Sequence, residues 1–129
     1  MDNRVVVRFT DGRSLKGTTA NFSPVRPKFH VNVPGGKIVE VQLNQLKAVF
    51  FVRSLEGNKA YREKKAFDGA KGFGRKVRCE FRDGELLVGF TQSYDPSKLG
   101  FFVSPADPQS NNERIFVVVA SIRQVTFEP

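Results

Sequence analysis

The sequence predicts an all-β chain built from two tandem five-stranded small barrels, with a short helical or irregular linker between them. Three observations predict it: an internal repeat, a period-two alternation opening each repeat, and an Asp-Gly turn at the same place in both.

The repeat is read directly. Val7-Arg8-Phe9-Thr10-Asp11-Gly12 lies over Cys79-Glu80-Phe81-Arg82-Asp83-Gly84. One constant offset then pairs Leu15 with Leu87, Gly17 with Gly89, Phe22 with Tyr94, Phe29 with Phe101 and Val31 with Val103. A short insertion among the turn formers Asp107-Pro108-Gln109-Ser110-Asn111-Asn112 changes the offset, at little cost in a loop. Beyond it, Val39, Val41, Leu43, Leu46, Val49 and Phe51 meet Ile115, Val117, Val119, Ile122, Val125 and Phe127. The units are residues 1–53 and 75–129, joined by a basic, glycine-containing linker at 54–74.

Each unit carries the same strand signals. Val5, Val7 and Phe9 alternate with Arg4, Arg8 and Thr10, and Val77, Cys79 and Phe81 with Lys76, Arg78 and Arg82. This is the pattern of a half-buried strand. Asp11-Gly12 and Asp83-Gly84 then turn the chain, because glycine accepts positive φ and aspartate tolerates it. Second strands run from Ser14 and Leu86, with Gly17 and Gly89 marking a bend or bulge. Third strands fall at 29–33 and 101–104, fourth at 38–43 and 114–119, fifth at 47–52 and 123–127. The last two are apolar on both faces: Phe50 and Phe51 point to opposite sides, and Ile115 to Val119 holds no polar residue. Such strands need cover on the second face, from the other unit or another subunit. Within the linker, Ala60-Tyr61-Arg62-Glu63 favours two helical turns across 56–65, ended by Gly69, Gly72 and Gly74.

The strand-turn pattern resembles the first motif of Sm-like small barrels: an Asp-Gly hairpin, a glycine-bent strand, then an aromatic and an aspartate. Gly89-Phe90-Thr91-Gln92-Ser93-Tyr94-Asp95 fits it, and Gly17 to Phe22 fits with Ser23 in the aspartate's place. Phe116 to Val125 is similar to the second motif of the bacterial Sm-like RNA chaperone. The resemblance implies a five-stranded curved sheet of Sm-like or SH3-like type, assembly through strand edges, and frequent RNA binding. The chaperone's Lys-His pair is absent, since Val119-Ala120 and Leu43-Asn44 occupy those places. Fold carries over by this route; RNA function does not. Duplicated barrels of this kind occur in uncharacterised bacterial proteins.

Hydrophobic residues make up 40% of the chain, with 13 Phe, 2 Tyr and no Trp, so core filling is the first role of the aromatics. The net charge is +8, which favours anionic partners. Cys79 is the only cysteine, so no internal disulfide forms. No signal-like or membrane-length apolar run occurs; the expected setting is cytoplasmic, away from membranes.

No catalytic constellation is legible, and no enzyme, cofactor or metal is expected. His30 stands alone and aligns with Phe102; Cys79 aligns with inward Val7; turn geometry accounts for Asp11 and Asp83. Gly69-Ala70-Lys71-Gly72-Phe73-Gly74-Arg75-Lys76 lacks the Gly-Lys-Ser/Thr ending of a phosphate loop and precedes a strand. Arg4 and Arg8, followed by Asn21-Phe22-Ser23, weakly resemble the cyclic-dinucleotide pattern of PilZ barrels, although Arg26 replaces the closing glycine. The expected function is a non-enzymatic binding or scaffold module acting by protein–protein or self-association through strand edges. The alternative is RNA or single-stranded DNA binding by Lys59, Arg62, Lys64, Lys65, Lys71, Arg75, Lys76 and Arg78, with Tyr61, Phe67 and Phe73 interleaved.

Overall fold

The computed structural model describes residues 2–57, 59–67, 69 and 72–129. The first half holds β1 (Asn3–Phe9), β2 (Ser14–Thr19), β3 (Lys28–Asn32), β4 (Ile38–Gln42) and β5 (Leu46–Val52). The second repeats the series as β6 (Arg75–Phe81), β7 (Leu86–Thr91), β8 (Gly100–Pro105), β9 (Asn112–Val118) and β10 (Ile122–Glu128). A 3-10 turn precedes the fifth strand of each half, at Leu43–Gln45 and Val119–Ser121. The fold is all-β, as the alternation predicts.

The strands form one antiparallel sheet in the order β10-β6-β7-β8-β9-β5-β1-β2-β3-β4. Among the described residues, hydrogen bonding therefore does not close around either half. It runs as one open sheet, with β10 and β4 at its edges.

Local chemistry sets the bends. Gly12 and Gly84 both take φ of 93° in their hairpin turns. At Gly17 an added Cβ would overlap the Asn32 carbonyl oxygen, and at Gly89 the Ser104 carbonyl oxygen. Asn32 and Ser104 are themselves repeat partners, so both glycines meet the same neighbour. Their role is close backbone approach. They sit in regular register, Gly17 opposite Val5 and Gly89 opposite Val77. The register shifts lie elsewhere, between Arg8 and Phe9, between Phe51 and Val52, and between Ile122 and Gln124.

The cover required by the two-faced strands comes from within the chain. β5 pairs with β9, with Ala48 opposite Val117, Val49 opposite Phe116 and Phe50 opposite Ile115. Alternate side chains on each strand serve different cores. Val49 and Phe51 join Val5, Val7, Phe29, Val31 and Val41, whereas Ala48, Phe50 and Val52 cross into a cluster with Val77, Cys79, Phe81 and Phe101. In return Phe116 and Val118 of β9 cross into the first cluster. The second cluster also takes in Val125 and Phe127 of β10, at the far end of that half of the sheet. Contact between strands so distant in order requires the sheet to curl.

An ionic clamp spans the same joint. The Lys47 ammonium is 2.7 Å from Asp83, bonds Glu85, and lies 4.7 Å above the Phe81 ring. Phe81 is buried, while its repeat partner Phe9, with Arg13 4.7 Å from its ring, stays half-buried.

No α-helix occurs among the described linker residues, contrary to the helical propensity around Ala60. Separate anchors hold the linker instead. The Tyr61 hydroxyl and the Lys64 amide donate to the Asp107 carboxylate, and Phe67 packs with Val88, Phe90 and Ala106. Two turns of helix are marginal without packing along one face.

Candidate functional site

The basic residues singled out from sequence do not converge on one patch. Lys59, Arg62 and Lys64 are exposed on the linker, and Lys65 pairs with Glu63 at 2.9 Å. Lys71 lies outside the described residues. Arg75 stacks 3.7 Å from the Phe127 ring. Lys76 and Arg78 project beside Phe67, 5.4 and 5.6 Å from its ring, and Arg78 also bonds Glu128 at 2.6 Å. Arg4 donates to the Arg53 carbonyl, and Arg8 lies 5.7 Å from the Phe50 ring. Asn21 is engaged with His30, its carbonyl accepting from the His30 amide at 3.0 Å. Arg4 and Arg8 line no common cavity among the described pockets.

The structure gathers a different set into a groove of about 430 Å³ on the second half. Its walls include Phe73 from the linker, Phe90 of β7, Phe102 and Ser104 of β8, and Arg114 of β9. The Arg114 guanidinium lies 4.4 Å from the Phe51 ring and 4.8 Å from the Phe102 ring. Among the described residues it has no acidic partner within ion-pair distance. The adjoining depression shares Ser104 and Arg114 and adds Arg4, with Glu113 as an acidic wall. Lys76 stands opposite Phe90 in the β6–β7 register, which sets a cation beside the aromatic wall.

Phe73 is 86% exposed, a costly pose for so large an apolar side chain. Its neighbours hold the backbone close to β7. A Cβ on Gly72 would collide with the Phe90 ring, and Gly74 has φ of 96° against the Thr91 carbonyl. The Gly-Phe-Gly segment is thus packed onto β7 and displays Phe73. Phe73 was legible as an aromatic among cations. Phe102 and Arg114 were not, because their repeat partners are His30 and Ile38 and no local motif contains them.

The sequence matches a family of unknown function (DUF6982) over residues 1–128. The chain belongs to that family. No curated protein and no solved structure matches this DUF6982 chain. Among its described residues no helix is long and apolar enough to cross a membrane, and no group of three His, Cys, Asp or Glu side chains could hold a metal.

Its titrating groups serve structure. Burial pushes the Cys79 thiol up to about 12, which keeps it protonated and unreactive. The Tyr61 hydroxyl is pushed up to about 12 by its bond to Asp107. Asp107 is held below its ordinary value, chiefly by the Lys64 amide and then by Tyr61. A second cleft of about 430 Å³ lies between the two hairpin turns, over Phe9, Phe81, Lys47 and Asp83. Lys47 is already clamped there by two carboxylates, so that cleft reads as part of the joint.

Proposed function

We propose that this DUF6982 chain is a non-enzymatic binding module that takes single-stranded nucleic acid along the Phe73–Phe102–Arg114 groove. The observation that carries the reading is Phe73, 86% exposed between two glycines whose backbone lies close against β7, in a groove shared with Arg114, which has no acidic partner among the described residues. Exposed aromatics stack on any base, and arginine beside them supplies phosphate contacts and planar stacking. The net charge of +8 supplies long-range attraction to such a polymer. The basic tract contributes through Lys76, which stands opposite Phe90 with its ammonium 5.4 Å from the Phe67 ring, while Lys59, Arg62 and Lys64 add diffuse charge.

The scaffold is read as two Sm-like small barrels fused along one edge. Five consecutive strands per half, a curl around each core and the matched approach at Gly17 and Gly89 support that reading. A lone free cysteine fits a cytoplasmic setting. Protein association through edges, the first expectation from sequence, has less support now that β5 and β9 cover each other. Cyclic-dinucleotide binding has less support too, because Arg4 and Arg8 do not converge.

The test is fluorescence anisotropy of labelled single-stranded RNA and DNA, with protein purified under nuclease, across a salt series. Binding should weaken steeply with salt. Stacking is worth about 1–3 kcal/mol per base, so Phe73→Ala should weaken binding roughly 5- to 150-fold while leaving the fold intact. Arg114→Ala should weaken binding and flatten the salt slope. Absence of binding at low salt, or a Phe73→Ala variant that binds like the parent, refutes the reading.

A further inference from the structure

The repeat allows the inner joint to be compared with the outer edges position by position. β9 is the repeat partner of β4, and β5 that of β10. A second copy adding its β10 to this chain's β4 would reproduce the β5–β9 joint. The sequence keeps one face of each edge strand suited to its own core. Val39 and Val41 match Ile115 and Val117, and Val125 and Phe127 match Val49 and Phe51.

The other face differs. Where Phe116 and Val118 cross from β9 into the neighbouring core, β4 carries Glu40 and Gln42. Where Ala48, Phe50 and Val52 cross from β5, β10 carries Gln124, Thr126 and Glu128. All five of these outer residues would bring an amide, a carboxylate or a hydroxyl into an apolar core without a partner, and Thr126 alone keeps a methyl to offer. The carboxylates are already engaged within the chain. Lys28 is 3.4 Å from Glu40, and Arg78 is 2.6 Å from Glu128.

The ionic clamp changes sign as well. At the joint, Lys47 meets Asp83 and Glu85. At the outer edge the partner of Lys47 is Arg123, and the partner of Glu85 is Arg13. Arg13 holds the local aspartate itself, at 2.7 Å from Asp11, and Arg123 turns to Glu80 at 3.0 Å. A second copy docked at this edge would set Arg123 against Arg13.

We infer that the two outer edges are closed to a second copy of this chain, so that the only partner either half accepts at such an edge is the other half. Buried polar groups and like charges at the crossing positions are how an exposed strand edge is kept from adding strands.

Light scattering with size exclusion tests this on the full chain. The parent should keep the monomer mass as concentration rises, and its β4 and β10 amides that face outward should exchange with solvent quickly. The variant Arg13→Glu, Glu40→Phe, Gln42→Val, Gln124→Ala, Thr126→Phe, Glu128→Val should form head-to-tail multiples of that mass. Parent oligomers in which outward β4 or β10 amides gain protection overturn the inference. So does a folded variant, judged by circular dichroism, that stays monomeric. If the variant does not fold, fast exchange at the parent's edges supports the inference and protection there overturns it.

Discussion

Phe50 and Thr126 occupy the same position in the two repeats, yet the structure gives them opposite duties. Phe50 crosses from β5 into the cluster around Val77, Cys79 and Phe101 and is 9% exposed. Thr126 stands exposed on the edge strand β10, opposite Arg78. Phe50→Ala removes most of a buried ring at the joint, and such truncations cost about 3–5 kcal/mol. At this chain length about 4 °C of midpoint shift accompanies each kcal/mol, so melting should fall by roughly 12–20 °C. Thr126→Ala should change stability by no more than about 0.5 kcal/mol. Thermal melts by far-ultraviolet circular dichroism measure both. The tyrosine near-ultraviolet signal adds a local readout, because Tyr94 packs 5.0 Å from Phe101 and 5.1 Å from Phe127. Phe50→Ala should perturb it although Phe50 belongs to the other half. A cost below about 1 kcal/mol for Phe50→Ala, or equal costs at both sites, would refute the crossing of side chains between cores.

Two further outcomes follow from the same geometry. Gly17→Ala and Gly89→Ala should each destabilise by well over about 1 kcal/mol in denaturant melts, since backbone carbonyls occupy the Cβ positions; tolerance of either would refute the close approach. Acid should loosen the joint and the linker: Asp83, bonded chiefly by Lys47, and Asp107, bonded chiefly by the Lys64 amide, both sit below their ordinary value of 3.8. Their contribution is complete above 3.8 and is lost as pH falls through the lowered values, so Asp107→Asn should flatten the acid limb of a stability–pH curve measured by urea melts.

The elements were legible because each rests on local chemistry. Period-two runs such as Val5-Val6-Val7-Arg8-Phe9 and the paired Asp-Gly turns fix strands and hairpins without reference to distant residues. The both-faces-apolar pattern of Phe50-Phe51 also announced a covering partner. Its identity was not legible, because β5 meets β9 across a long stretch of chain and alternation records burial, not address. The linker misled for the converse reason. Ala60-Tyr61-Arg62-Glu63 has helical propensity, yet contacts to Asp107 and to the outer face of β7 determine its path. The groove was half visible: Phe73 stood out among cations, whereas Phe102 and Arg114 come together only when β8 and β9 pair.

Native-state hydrogen exchange of β5 and β9 tests the single joined sheet most directly. These amides should be among the slowest in the chain and exchange only with global unfolding, in one transition shared by both halves. Exchange of β5 and β9 through a smaller opening, with either half still protected, would contradict it.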